Sequence, residues 1–162
     1  PVALIGHSQG GIVAAQIAAD RADEYNISHV VTAGSPVANH PIPEKTWVTS
    51  IEMNDELVAA LDGAQNPQTE NWLTVRATVE PSAPQVVEDG VIIPRSNPYA
   101  AAQVPTASEG QELSHWLKYH QAAYQNASDL GSPAVEKHER HFAGVIDGKL
   151  RETLYYEGRM SY

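Results

Sequence analysis

The sequence contains no cysteine among its 162 residues. Disulfide bonds, thiolate zinc sites and cysteine nucleophiles are therefore excluded. Basic residues are also scarce, since 10 lysines and arginines against 20 aspartates and glutamates give a formal net charge of −10. Because phosphate binding needs a basic surface, we expect neither a nucleic-acid partner nor electrostatic docking on anionic lipid.

Long hydrophobic runs are absent as well, so the sequence offers no transmembrane segment. Apolar residues nevertheless make up 42% of the chain, which is enough to build the core of one domain. Short apolar runs, rich in β-branched residues, predict four strands, and the first run leads into a predicted helix. The strands are predicted at Val2–Ile5, His29–Ala33, Trp47–Met53 and Trp72–Val79, and the helix at 11–20. Such a pattern is typical of a parallel α/β sheet.

The second half of the chain divides into three stretches. Residues 80–112 hold five of the eleven prolines and show little helical periodicity, so we interpret them as an insertion or a cap-like loop. Helical spacing returns over 112–128. Residues 134–162 are interpreted as a tail that contains a charged segment and a possible strand over 151–156.

The most informative motif is Gly6-His7-Ser8-Gln9-Gly10, a G-x-S-x-G pattern that stands between the first strand and the helix. Strand, sharp turn and helix in this order favour a nucleophile elbow over a glycine turn that merely contains serine. Ser8 would lie at the apex of a strained turn with its hydroxyl exposed. The glycines would let strand and helix approach closely, and the partial positive charge of the helix N-terminus would favour an oxyanion.

The elbow begins close to Pro1, whereas the nucleophile strand of a doubly wound hydrolase sheet follows several other strands. We therefore expect the chain to be the C-terminal half of such a domain, with the N-terminal strands missing, and to be inactive by itself. The backbone N–H of Gln9 would supply one oxyanion donor, and the missing part would supply the second.

A serine nucleophile needs a base, and the base needs an acid to orient it. Elbow-type hydrolases carry these residues in the chain order serine, acid, histidine. Asp55 and Glu56 follow the third predicted strand and are both candidates for the acid. His115 is the candidate base, because it follows the long loop and opens a helix, and His120 is its rival one turn later.

The other polar candidates are assigned no catalytic role. Asp62 stands in a Leu-Asp-Gly segment, where a turn is expected. His7 neighbours the nucleophile but is expected to line the pocket. His138 and His141 form an H-x-x-H pair that we interpret as part of an exposed, charged helix face rather than a metal site.

These motifs resemble those of α/β-hydrolases of the serine esterase and lipase type, particularly bacterial lipase-like members. The resemblance rests on the elbow Gly6-His7-Ser8-Gln9-Gly10-Gly11, on the following strand 31–37 and on a segment like H-x-x-x-Y at 115–119, and it covers roughly residues 1–125. Relatives often end the acid strand in D-x-V-P-x-L-D-G. The segment 56–63 aligns with that pattern, places Glu56 at the acid position and lacks the proline.

The resemblance implies a serine hydrolase that cleaves carboxylic esters of small molecules or lipids through an acyl-enzyme on Ser8. Such a reaction needs no metal and no organic cofactor. Two alternatives remain open at this point. One is an acyltransferase or thioesterase that uses the same triad, and the other is a noncatalytic binding protein with the same fold.

Overall fold

The computed structural model describes residues 1–54, 56, 58, 61, 63–78, 87–88, 91–92 and 115–158. Within these ranges, four parallel strands form one sheet in the order β1-β2-β3-β4. The strands are β1 Val2–His7, β2 Ile27–Ala33, β3 Trp47–Met53 and β4 Trp72–Ala77. The helices are α1 Gln9–Asp20, α2 Leu117–Asp129 and α3 Pro133–Val145, and a small antiparallel ladder pairs β5 Val87–Glu88 with β6 Val91–Ile92.

Helices cover both faces of the four-stranded sheet. On one face, the small side chains of Ala14 and Ala18 let α1 pack closely against Val30 and Val48. On the other face, α2 and α3 pack over the strands, and this core comprises Ile51, Met53, Val75, Tyr119, Ala123 and Val135. Each large apolar side chain buried in this way contributes about 1.5–3 kcal/mol to folding. The layered arrangement confirms the predicted parallel α/β fold.

The predicted strands all appear, with bounds close to those expected. Most of the proline-rich stretch 80–112 lies outside the described residues, so its interpretation as an insertion or cap-like loop stays a prediction. The possible strand over 151–156 is wrong. Residues 151–158 are exposed and have no regular secondary structure, because they pair with no described strand and gain no ladder hydrogen bonds.

A group of histidines, which we call the anchor histidines (His29, His138 and His141), joins α3 to the sheet. The expectation that His138 lies on an exposed helix face is wrong, because His138 is only 2% exposed. Thr49 Oγ1 lies 2.9 Å from His29 Nε2 and 3.0 Å from His138 Nδ1. His29 Nδ1 lies 3.0 Å from His141 Nδ1, and the His141 ring stacks on Trp47. A buried polar group needs such partners, and here the partners come from the sheet.

The hydrogen-bond pattern of the anchor histidines fits neutral rings. His138 Nε2 lies 3.2 Å from the Glu70 carbonyl oxygen, which can only accept, so Nε2 carries the hydrogen and Nδ1 accepts from Thr49. Thr49 in turn accepts from His29 Nε2–H, and His29 Nδ1 accepts from His141. Burial, together with the neighbouring rings, lowers the pKa of His29 and of His138 from 6.5 to about 4.

Candidate active site

Ser8 has the strained backbone expected of a nucleophile elbow. Its φ of 55° is positive, and no other described residue except glycine has a positive φ. Such a conformation costs about 1–3 kcal/mol and persists only when the surroundings hold it. The Ser8 N–H donates to the Ala33 carbonyl at 2.9 Å, and the Ser8 carbonyl accepts from the Gly11 N–H at 3.0 Å and from the Ser35 hydroxyl at 2.8 Å. Hydrogen bonds therefore hold both the N–H and the carbonyl group of Ser8 in place.

Gly6 is required by space at the point where the strand meets the helix. A Cβ at this position would lie 2.2 Å from the carbonyl oxygen of Gly10. No side chain fits at that distance, so the close approach of β1 and α1 depends on glycine. The reason given for the motif from sequence, a close backbone approach, is thus visible in the structure.

The structure brings Ser8, His115 and Glu56 into one hydrogen-bonded chain. His115 Nε2 lies 2.8 Å from Ser8 Oγ. His115 Nδ1 is hydrogen-bonded to Glu56 Oε1. The side chain of Glu56 is 1% exposed, whereas that of His115 is 30% exposed. A buried carboxylate on Nδ1 holds the hydrogen there and leaves Nε2 free to accept a proton from the serine hydroxyl.

Gly34 makes room for the carboxylate. β2 lies between the strand that carries Ser8 and the strand that precedes Glu56, so the acid side chain must reach over the end of β2. Gly34 follows β2 with a φ of +58°, and a Cβ there would lie 2.6 Å from Glu56 Oε1 and 2.8 Å from His120 Nε2. Any other residue would push into the acid. The carboxyl ends of three adjacent strands therefore converge on one site.

Two further histidines surround this chain. His120, the rival base, is fully buried and contacts the acid instead of the serine, with its Nε2 2.9 Å from Glu56 Oε2. Its Nδ1 lies 3.1 Å from the carbonyl oxygen of Trp116. His7 Nε2–H donates to the backbone carbonyl of His115 at 2.8 Å. We call His7, His115 and His120 the site histidines.

The remaining candidates fall in different places. Asp55, the competing acid, and Asp62 lie outside the described residues. Gln9 begins α1 directly after Ser8, so its N–H is one of the first helical N–H groups, which have no acceptor within the helix. Among the described residues, no group of three or more histidine, aspartate or glutamate side chains is arranged to hold a metal ion.

A shallow cavity of about 290 Å³ opens beside the base and is lined by His7, His115, Trp116 and Leu117. Trp116 is 57% exposed and Leu117 is 44% exposed, so the two neighbouring side chains present apolar surface beside the base. A larger cavity of about 410 Å³ is lined partly by Asn66 and Arg76, and by none of the residues just named. The smaller cavity is therefore the one next to the candidate chemistry.

Sequence reasoning missed two contacts, that of His120 with Glu56 and that of His138 with the Glu70 carbonyl. Both depend on tertiary contacts. One signal was present for α3, because Val135, His138 and Phe142 have the i, i+3, i+7 spacing of one helix face. That spacing predicts a buried His138.

A serine on a strand-turn-helix elbow, bonded to a histidine that is itself bonded to a buried carboxylate, is the arrangement found in α/β-hydrolases. The sequence comparison agrees with the geometry. The PGAP1-like alpha/beta domain family matches residues 1–123, so the chain belongs to this lipase-like family of the α/β-hydrolase superfamily. Comparisons with curated proteins and with solved structures gave no significant match. No helix in the described ranges is long and apolar enough to cross a membrane.

Proposed function

We propose that the protein is a serine hydrolase that cleaves carboxylic esters through an acyl-enzyme on Ser8. Membership of the family indicates a hydrolase-type function. The observation that carries the finer proposal is the hydrogen-bonded chain from Ser8 Oγ through His115 to Glu56. Glu56 is preferred as the acid because its carboxylate is buried and bonded to the base.

In the proposed reaction, His115 Nε2 takes the proton of Ser8 as Oγ attacks the ester carbonyl carbon. The carbonyl oxygen becomes an oxyanion, for which the Gln9 N–H and the N-terminus of α1 supply positive partial charge. The tetrahedral intermediate collapses, the bond to the alkoxy oxygen breaks, and His115 gives its proton to the departing alcohol. Water then attacks the acyl carbonyl carbon while His115 takes its proton. The bond to Ser8 Oγ breaks, His115 gives the proton to Oγ, and the carboxylic acid leaves.

The surroundings of the base favour an ester with an apolar group. Trp116 and Leu117 present exposed apolar surface directly after His115. An acyl or alkyl chain that covers this surface would gain roughly 25 cal/mol for each Å² removed from water. The scarcity of polar lining there disfavours a strongly charged substrate at this point.

The contacts also favour catalysis over a noncatalytic binding role. A protein that only binds has no need for a strained serine, yet Ser8 carries the positive φ and the contact to the base. An acyltransferase or thioesterase would use the same residues, so these differ from an esterase only in leaving group and acceptor. Product analysis with and without added alcohol separates hydrolysis from acyl transfer.

The test is Ser8→Ala in the full-length protein, assayed with a short p-nitrophenyl ester. We expect turnover to fall by at least about 10⁴-fold, because the nucleophile is lost. Ser28→Ala is the matched control, since Ser28 lies in β2 and, among the residues that the structure describes, its hydroxyl hydrogen-bonds to Asn26 alone. Retained turnover in Ser8→Ala would refute the assignment.

A further inference from the structure

The carboxylate of Glu56 has two imidazole partners, whereas the proposed catalytic chain uses only one. Oε1 bonds to His115, and Oε2 lies 2.9 Å from His120 Nε2. The side chains of Glu56 and His120 are 1% and 0% exposed, so solvent does not take part in this contact. Both oxygens of the acid are therefore held by protein groups.

Both ring nitrogens of His120 have a partner at hydrogen-bond distance. Nδ1 lies 3.1 Å from the carbonyl oxygen of Trp116, one helical turn earlier. A carboxylate can only accept, so Nε2–H donates to Glu56 Oε2 at 2.9 Å. The buried ring is therefore held in one orientation against the acid.

In the described part of the chain, two other ionisable groups contact the His120 ring, both in an edge-to-face arrangement. The ring centres of His7 on β1 and of His115 lie 5.7 Å and 6.4 Å away. Glu56, which follows β3, is the ionisable partner at hydrogen-bond distance. The hydrogen bond at Nε2 therefore joins His120 to the acid.

We propose that His120 is a positioning residue that fixes Glu56 through the hydrogen bond between Nε2 and Oε2, an inference that rests on the proposed function. Glutamate has one more rotatable bond than aspartate, so a single contact to His115 leaves its carboxylate free to turn. A second anchor on Oε2 removes that freedom. The side chain of Glu56 therefore loses its conformational entropy in the resting protein, before substrate binds. Glutamate can then orient His115 as the shorter aspartate would.

The experiment compares His120→Leu with His120→Gln in the full-length protein. Leucine removes the donor, whereas the glutamine amide can still donate to Oε2 but cannot titrate. We expect His120→Leu to lower kcat by about 10²-fold with little change in KM, because the base is misplaced while the pocket is intact. The kcat of His120→Gln is expected to be at least tenfold higher than that of His120→Leu. His40→Gln is the control, since the His40 ring hydrogen-bonds to the exposed Gln16 and to no other side chain within the described residues.

Rescue by the conservative variant gives a readout that a merely structural role would not move. The loss should appear in kcat rather than in KM, and it should be smaller in His120→Gln than in His120→Leu. An unchanged kcat in folded His120→Leu, or equal losses in both variants, would overturn the proposal.

Failure of the proposed function is recognised separately. The imidazole ¹⁵N spectrum of Ser8→Ala, which needs no activity, should show a hydrogen bond from His120 Nε2–H to Glu56. If that hydrogen bond is present while the wild type hydrolyses no ester, the proposed function fails and the contact stands. If the wild type is active and His120 Nε2 shows no such hydrogen bond, the inference fails alone.

Discussion

Six of the seven histidines lie in two groups, and the groups differ in what their ring nitrogens contact. The site histidines surround the buried carboxylate of Glu56 at the carboxyl ends of the strands. The anchor histidines lie near the amino ends and contact a hydroxyl, a backbone carbonyl and one another. The same side chain therefore meets an acid in one group and only neutral partners in the other.

The difference teaches how neighbours determine what a buried imidazole does. In the anchor group every hydrogen bond is satisfied with neutral rings, and an added proton on His138 would face the hydroxyl hydrogen of Thr49. Burial accordingly lowers the pKa of His138 and of His29 to about 4. In the site group a carboxylate can accept from two rings, so proton transfer to and from His115 is compatible with the surroundings. One group suits catalysis and the other suits structure.

The largest expected effect comes from His115→Ala. Loss of the base should lower ester turnover by at least about 10⁴-fold, while the melting temperature should fall moderately, because the ring is partly exposed but the buried Glu56 Oε1 loses its partner. Steady-state kinetics and thermal unfolding of the same preparation measure both quantities. A variant that keeps more than a tenth of the activity would remove His115 from the role of base.

The converse substitution is His29→Ala in the anchor group. It opens a cavity, removes one of the two partners of the Thr49 hydroxyl and leaves His141 Nδ1 without its hydrogen-bond partner, so the free energy of unfolding should fall by about 2–4 kcal/mol. The turnover of the molecules that remain folded should match the wild type. Urea unfolding monitored by circular dichroism gives the free energy, with the surface variant His40→Ala as the control. A catalytic defect in folded His29→Ala would break the distinction between the two groups.

Mild acid should also lower the stability of the folded protein through the anchor histidines. The unfolded chain takes up protons near the ordinary pKa of 6.5, whereas folded His29 and His138 resist them down to about 4. Stability is therefore complete above the unfolded pKa and is lost as the pH falls toward 4, by roughly 1–2 kcal/mol per histidine at pH 5.

Melting temperatures between pH 7 and pH 5 measure this loss, because carboxylates with ordinary pKa values titrate mainly below that window. His138→Gln, which cannot titrate, should show a shallower decline than the wild type. Equal declines in the two proteins would mean that His138 does not resist protonation when folded.

Much of the fold could be predicted from the sequence because its signals are local. Apolar runs such as Trp47–Met53 gave the strand with its observed bounds, and the glycines around Ser8 required a close approach of strand and helix. The pattern after β3 favoured Glu56, and chain order favoured His115. The structure brings both residues to Ser8.

The hydrogen-bond partners of His120 and His138 could not be predicted because they depend on which elements meet in space. His120 looks like an alternative base in the sequence, and only the path of Glu56 over Gly34 brings its carboxylate to His120. His138 stands among charged residues, which suggested a solvent-exposed face. Thr49 and the Glu70 carbonyl, distant in sequence, give it a buried partner on each side of the ring.

The most direct test of the central claim is covalent labelling of the full-length protein with a fluorophosphonate probe, followed by peptide mass spectrometry. The probe reacts with serines that a neighbouring base activates. We predict one adduct, on Ser8, at a rate that falls by orders of magnitude in His115→Ala and is unchanged in His40→Ala. Labelling of another serine, or no labelling of the folded wild type, would contradict the assignment of Ser8 as the nucleophile.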